Sequence, residues 1–111
     1  MKARLAAALL CCLAATSVAT AASFNCEHAL IAAEGAICGN ANLSKLDEQT
    51  AGMYFLIVGS GAPKATVSEV KASQGSFIEK RNACGANVNC LVDAYTDQMM
   101  FLKNIKGNLG L

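Results

Sequence analysis

The chain has 111 residues, 54% apolar and 15% charged, with a formal net charge of +1 and a mean hydropathy of +0.38. The hydrophobic excess is concentrated in residues 1–22, whose only charges are Lys2 and Arg4; the remainder holds seven basic residues against eight acidic ones, a formal −1. That balance argues against a protein that grips nucleic acid by neutralising phosphates, and about 90 residues make one domain, not two. In chain order, Lys2 and Arg4 form a basic n-region and Leu5–Ala15 an apolar stretch of h-region length. Small residues then accumulate from Thr16 to Ala22, and Ala19-Thr20-Ala21 satisfies the A-x-A rule. Cleavage is expected after Ala21, with Ala22 as the near alternative. Residues 1–21 are thus read as a signal peptide and 22–111 as one domain, its core at about 23–105. A membrane anchor would need roughly 20 apolar residues, more than this run supplies. A lipoprotein would need a small residue before Cys11 or Cys12, where Leu10 and Cys11 stand.

Four cysteines remain after such a cleavage: Cys26, Cys38, Cys84 and Cys90. An even number in a small exported domain predicts two disulfides. Four cysteines allow three connectivities, of which spacing favours Cys26–Cys38 and Cys84–Cys90. The first would tie a leading arm to the end of the first helix; the second would close the corner Cys84-Gly-Ala-Asn-Val-Asn-Cys90. A zinc site built from these cysteines and His28 is the rival, but no C-x-x-C pair occurs. A redox couple at Cys84 and Cys90 is disfavoured by its wide spacing.

Beyond the signal, the pattern predicts helices only. Residues 23–30 form an extended or irregular arm. A short helix runs from about Leu30 to Cys38, stopped by Gly39-Asn40. Asn40 or Asn42 caps a longer helix to about Val58, with Leu43, Leu46, Thr50, Met53, Tyr54 and Ile57 as one buried stripe. Gly59-Ser60-Gly61-Ala62-Pro63 breaks it. Thr66 and Glu69 form a capping box for a third helix to about Ala83, burying Val67, Val70, Phe77 and Cys84. Gly75 inside that helix suggests close packing. The fourth helix starts at about Val88 or Cys90 and ends at Ile105, with Leu91, Ala94 or Tyr95, Gln98 or Met99, Leu102 and Ile105 inward. The third and fourth helices form an antiparallel hairpin, and the tail Lys106–Leu111 is expected to fray. The fold class is therefore all-α: a small disulfide-stapled bundle of about four helices.

Little here resembles catalysis, and the expectation is a binding protein, not an enzyme. The domain has a single histidine, His28; Asp47 and Glu48 are sequence neighbours that point different ways, and Asp93/Asp97, one helical turn apart, is an acid pair of the kind that lines a solvated helix face. No metal or other cofactor is expected.

Ser23-Phe24-Asn25-Cys26, Ala36-Ile37-Cys38, Leu43 and Leu46-Asp47 resemble the first half of the LprI-like lysozyme-inhibitor domain family. Gln74-x-x-Phe77-x-x-x-Arg81-x-x-Cys84-Gly85, then Cys90-Leu91 and Tyr95, resemble its second half, so the likeness covers roughly residues 23–103. The chain departs from the family at Phe77, where Trp is common, and at Gln98, where Arg is common. Asp47, Gln74, Phe77, Arg81 and Tyr95 are the signature positions. Gln74, Phe77 and Arg81 share one helix face; Phe77 is expected in the core, and Arg81 and Gln74 at helix ends, with Asp47 a partner for Arg81.

The resemblance implies stoichiometric inhibition of a host c-type lysozyme, a virulence trait, by a protein that is periplasmic or secreted and has no membrane span after signal cleavage. Such lysozymes are cationic and carry two carboxylates in a cleft. The tip Gly59–Lys64 would offer Ser60 and Lys64 to those acids, while Glu34, Glu48, Asp93 and Asp97 would meet basic rim groups. The alternative is an envelope interaction or adaptor domain without lysozyme inhibition. An exposed apolar groove would favour the adaptor; a protruding loop flanked by acids would favour the inhibitor.

Overall fold

Asn40 and Asn87 set where two of the helices begin, because each side-chain oxygen accepts the backbone N–H three residues on, at 3.0 Å from Leu43 and from Cys90. The computed structural model describes residues 22–28 and 31–111; the expected signal peptide at 1–21 and the expected helix start at Leu30 lie outside them. A 3-10 turn at Cys26–His28 is followed by α1 (Ala32–Cys38), α2 (Ala41–Val58), α3 (Lys64–Ala83) and α4 (Val88–Leu109), with no strand among the described residues. The all-α expectation holds. So do the two disulfides, Cys26–Cys38 with Cα atoms 5.8 Å apart and Cys84–Cys90 at 5.6 Å. That pairing takes up the thiolates that a zinc site would have used. No helix among the described residues is long and apolar enough to cross a membrane.

Two hydrophobic clusters hold the bundle. Ala33, Ile37, Leu43, Phe77, Leu91 and Tyr95 form the first, and Ile57, Val70 and Leu102 the second. Leu43 therefore meets Leu91 and Tyr95, while Ile57 meets Leu102. This makes α2 and α4 pack directly and run parallel, with α3 antiparallel against them, and α1 caps the first cluster. Between the clusters lies a polar layer. Gln98 Nε2 donates to Gln74 Oε1 at 3.0 Å, Ser73 Oγ donates to Gln98 Oε1 at 3.1 Å, and buried Thr50 returns its hydroxyl to the Leu46 carbonyl at 2.7 Å. Each buried polar group there has a partner, as burial requires.

Several local expectations are corrected. The third helix begins at Lys64 on the N-cap Pro63, without a side-chain cap bond, so the Thr66/Glu69 capping box does not form. Proline supplies the reason: its φ is preset, and its carbonyl already accepts the Val67 N–H at 3.0 Å, so the first turn is closed before Thr66. Cys84 is half-buried and flanks the core, as do Leu46, Met53 and Tyr54 of α2, while Val67, also half-buried, is not part of either cluster. Gly75 is exposed, and a Cβ there would meet nothing within 4 Å, so close packing does not explain it. The tail does not fray after Ile105. Helix α4 continues to Leu109, which packs on the second cluster, and Gly110 ends it at φ 74°. The Gly110 and Leu111 N–H groups then bond back to the carbonyls of Gly107 and Lys106, a left-handed C-terminal stop of the kind glycine permits.

Candidate functional site

Asp47 is one turn and a half into α2, on the side facing α3 and α4, and is 3% exposed. A carboxylate so placed must be surrounded by donors. Tyr95 Oη donates to Asp47 Oδ1 at 2.6 Å, and the backbone N–H of Ser23 donates to Oδ2 at 2.6 Å. Arg81, itself 5% exposed, places Nη1 3.8 Å from Asp47 Oδ1 and Nη2 3.8 Å from Glu34 Oε2. Its Nε and Nη2 donate to Asn82 Oδ1 at 3.1 and 2.9 Å, and its guanidinium lies 5.5 Å from the centre of the Phe24 ring. Phe77 meets Tyr95 edge-to-face with ring centres 5.0 Å apart. One carboxylate thus ties together the leading arm, α2, α3 and α4, and the shared guanidinium brings in α1.

Burial pushes the Tyr95 hydroxyl far above the ordinary tyrosine value, and the hydrogen bond and charge of Asp47 push the same way. The phenol therefore stays protonated, and donates, well past neutral pH. The unfolded chain releases this proton near pH 10 while the folded chain keeps it, so stability declines as pH rises beyond about 10. The corresponding expectation is that Tyr95→Phe flattens this alkaline decline in urea midpoints measured from pH 7 to 11. An unchanged slope would show that Tyr95 does not set it.

Four of the five signature residues, Asp47, Phe77, Arg81 and Tyr95, converge in this interior. Gln74 belongs to the neighbouring polar layer. Arg81 and Gln74 bond side chains rather than the helix ends expected of them, because α3 runs alongside α2 and α4 and aims both residues sideways. With Tyr95 fully buried and Asp47 nearly so, the cluster offers no approach to a substrate; it fixes the fold.

The residues expected to contact a target are dispersed. Ser60 is exposed at the α2–α3 turn, its hydroxyl bound back to the Ile57 carbonyl at 2.7 Å. Lys64, exposed on the first turn of α3, lines a shallow depression of about 320 Å³ with Ala62, Val67, Ser68 and Lys71. Glu34 is half-buried beside Arg81, at the other end of α2. Glu48, Asp93 and Asp97 are exposed, but Asp93 sits on the first turns of α4, near the Tyr95 end. With a rise of about 1.5 Å per residue, the 13 positions from Asp47 to Ser60 span roughly 20 Å. The α2–α3 turn itself carries no charge, Lys64 and Lys71 follow it on α3, and Glu34 and Asp93 stand apart from it, so these acids do not flank the turn as an inhibitor loop was expected to have them.

An apolar groove of about 400 Å³ between α2 and α4 was not anticipated. Gln49, Gly52, Met53 and Leu56 line one side, Met99 and Lys103 the other. Exposed Phe55 and Met100 stand on the same two helices. The unbroken apolar run Met53–Val58 was the available signal, since a single buried stripe cannot accommodate six consecutive apolar residues. Among the described residues, no three His, Cys, Asp or Glu side chains are grouped to hold a metal ion. Comparison with family models, curated proteins and solved structures finds no match to this chain.

Proposed function

We propose that the chain is an exported, disulfide-stapled binding protein that inhibits a c-type lysozyme by stoichiometric capture. The observation that carries this reading is spatial. Four of the five signature residues behind the LprI-like resemblance, Asp47, Phe77, Arg81 and Tyr95, pack together although they are scattered along 49 positions of sequence. Two disulfides agree with an oxidising compartment, periplasmic or extracellular. The surface offered to the target is the α2–α3 turn. Lys64 and Lys71 flank it with ammonium groups, a chemistry suited to the two carboxylates of a lysozyme cleft.

The test is the activity of a c-type lysozyme on bacterial cell walls, titrated with the purified oxidised protein. Saturating loss near one-to-one stoichiometry is expected. Changing Ser60 and Lys64 together to alanine should weaken inhibition about tenfold or more, roughly 1.4 kcal/mol. A loss below about 1 kcal/mol would remove this turn from the interface. The apolar α2/α4 groove favours a second reading, an envelope adaptor whose partner inserts an apolar helix. In that case lysozyme stays active at micromolar excess, and Leu56→Glu abolishes capture of the envelope partner.

A further inference from the structure

We propose that export cuts the peptide bond between Ala22 and Ser23, and that the α-ammonium so created on Ser23 is bound by Asp47 in the mature protein. The inference rests on the reading of the leading segment as an export signal, and it moves the cut one residue beyond the position that the A-x-A pattern favours. Water adds across the Ala22–Ser23 amide in the active site of a signal peptidase. Ala22 departs with the carboxylate, and Ser23 keeps the nitrogen as an amine that is protonated at neutral pH. Thr20 and Ala22 then occupy the two small-residue positions such peptidases read.

Three observations point to Ser23. Its nitrogen already lies 2.6 Å from Asp47 Oδ2, at hydrogen-bond distance. Asp47 is 3% exposed, yet its neighbouring cation Arg81 stands off at 3.8 Å and is equally drawn to Glu34. A positive charge on the Ser23 nitrogen meets the buried carboxylate in direct contact, where a neutral amide supplies only a dipole. Ser23 itself is exposed, so the other two ammonium protons face water and little desolvation opposes the arrangement. Asp47 from α2 faces this nitrogen; Tyr95 from α4 and Arg81 from α3 face the same carboxylate, and Glu34 from α1 lies beside Arg81. Tyr95 is held neutral by burial and Asp47.

The full chain is exported from a bacterial host, purified oxidised, and its N-terminus read from the intact mass. A chain beginning at Ser23 is expected. The same protein is then acetylated selectively at its α-nitrogen at mildly acidic pH, where lysines stay protonated, and both forms are unfolded in urea. Acetylation is expected to raise the unfolding equilibrium constant about tenfold or more at pH 7, one pH unit of linkage. An amine paired with a carboxylate has its folded-state value raised. The advantage of the free form is therefore full below about pH 8 and fades as pH climbs through that raised value. A mature chain starting at Ala22 or elsewhere overturns the proposal, as does an acetylated protein within twofold of the free one at pH 7. A retained leader overturns the export reading and this proposal together, whereas a cut at another position leaves export standing.

Discussion

Asp47→Asn is expected to lower stability by about 3–5 kcal/mol, because it removes the charge from one side of a buried pair and leaves the other side in place. Arg81 would remain 5% exposed, with Glu34 3.8 Å away as its carboxylate neighbour. The Tyr95 hydroxyl and the Ser23 N–H would each face either an amide oxygen or an amide NH₂ instead of a carboxylate that accepts from both. Against a typical total of 5–15 kcal/mol, such a loss leaves the domain marginal. With a slope of 1–1.5 kcal/mol/M for a small domain, the urea midpoint should fall by about 2 M or more. Glu48→Gln is the matched control: the next residue, also acidic but exposed, should shift stability by less than about 0.5 kcal/mol. Equal effects from the two substitutions would show that Asp47 does not organise the interior.

Reduction of both disulfides is expected to cost about 5 kcal/mol in total. Loops closed by sequence separations of 12 and 6 contribute about 3 and 2 kcal/mol on the chain-entropy estimate. The two bonds act in different places. Cys26–Cys38 holds the leading arm against α1, and that arm carries Phe24, which lies against Arg81, and Ser23, which bonds Asp47. Losing it therefore loosens the Asp47 cluster from one side as well as relaxing the chain. Cys84–Cys90 clamps the turn between α3 and α4, whose end is also set by the Asn87 cap. Urea unfolding of the Cys26→Ser/Cys38→Ser and Cys84→Ser/Cys90→Ser forms should show the larger loss for the first pair. Circular dichroism of the reduced protein at 37 °C should show substantial loss of helix, and the lysozyme inhibition proposed above should disappear with it. Inhibition that survives reduction would detach the activity from the stapled fold.

How far the chain could be read in advance depended on the range of the interactions. The second helix, its asparagine cap and the glycine stops were legible because each is a local arrangement of a few residues. The disulfide pairing was legible because both bonds close short loops. The start of α3 was misread because the Thr66/Glu69 pattern and Pro63 competed for the same turn, and the preset φ of proline acts first. The end of α4 was misread because Lys106–Leu111 looks weak alone, whereas Leu109 gains its order from Ile57, Val70 and Leu102.

Leu46-Asp47, Arg81 and Tyr95 could be picked out as a signature, and Asp47 named as a partner for Arg81, but not the Ser23 contact or the sharing with Glu34. Those depend on how five segments meet. The α2/α4 groove is of the same kind: Leu56 and Met99 lie 43 positions apart, and only the parallel packing of their helices makes them neighbours. The amino-acid sequence by itself determined the helices, the staples and the class of the fold, since periodicity, capping and short loop closure act within a few turns of chain. Only the tertiary structure decided which polar groups are buried together and which apolar ones remain in water. Burial is a property of the assembled helices and cannot be assigned to a residue before its neighbours are known.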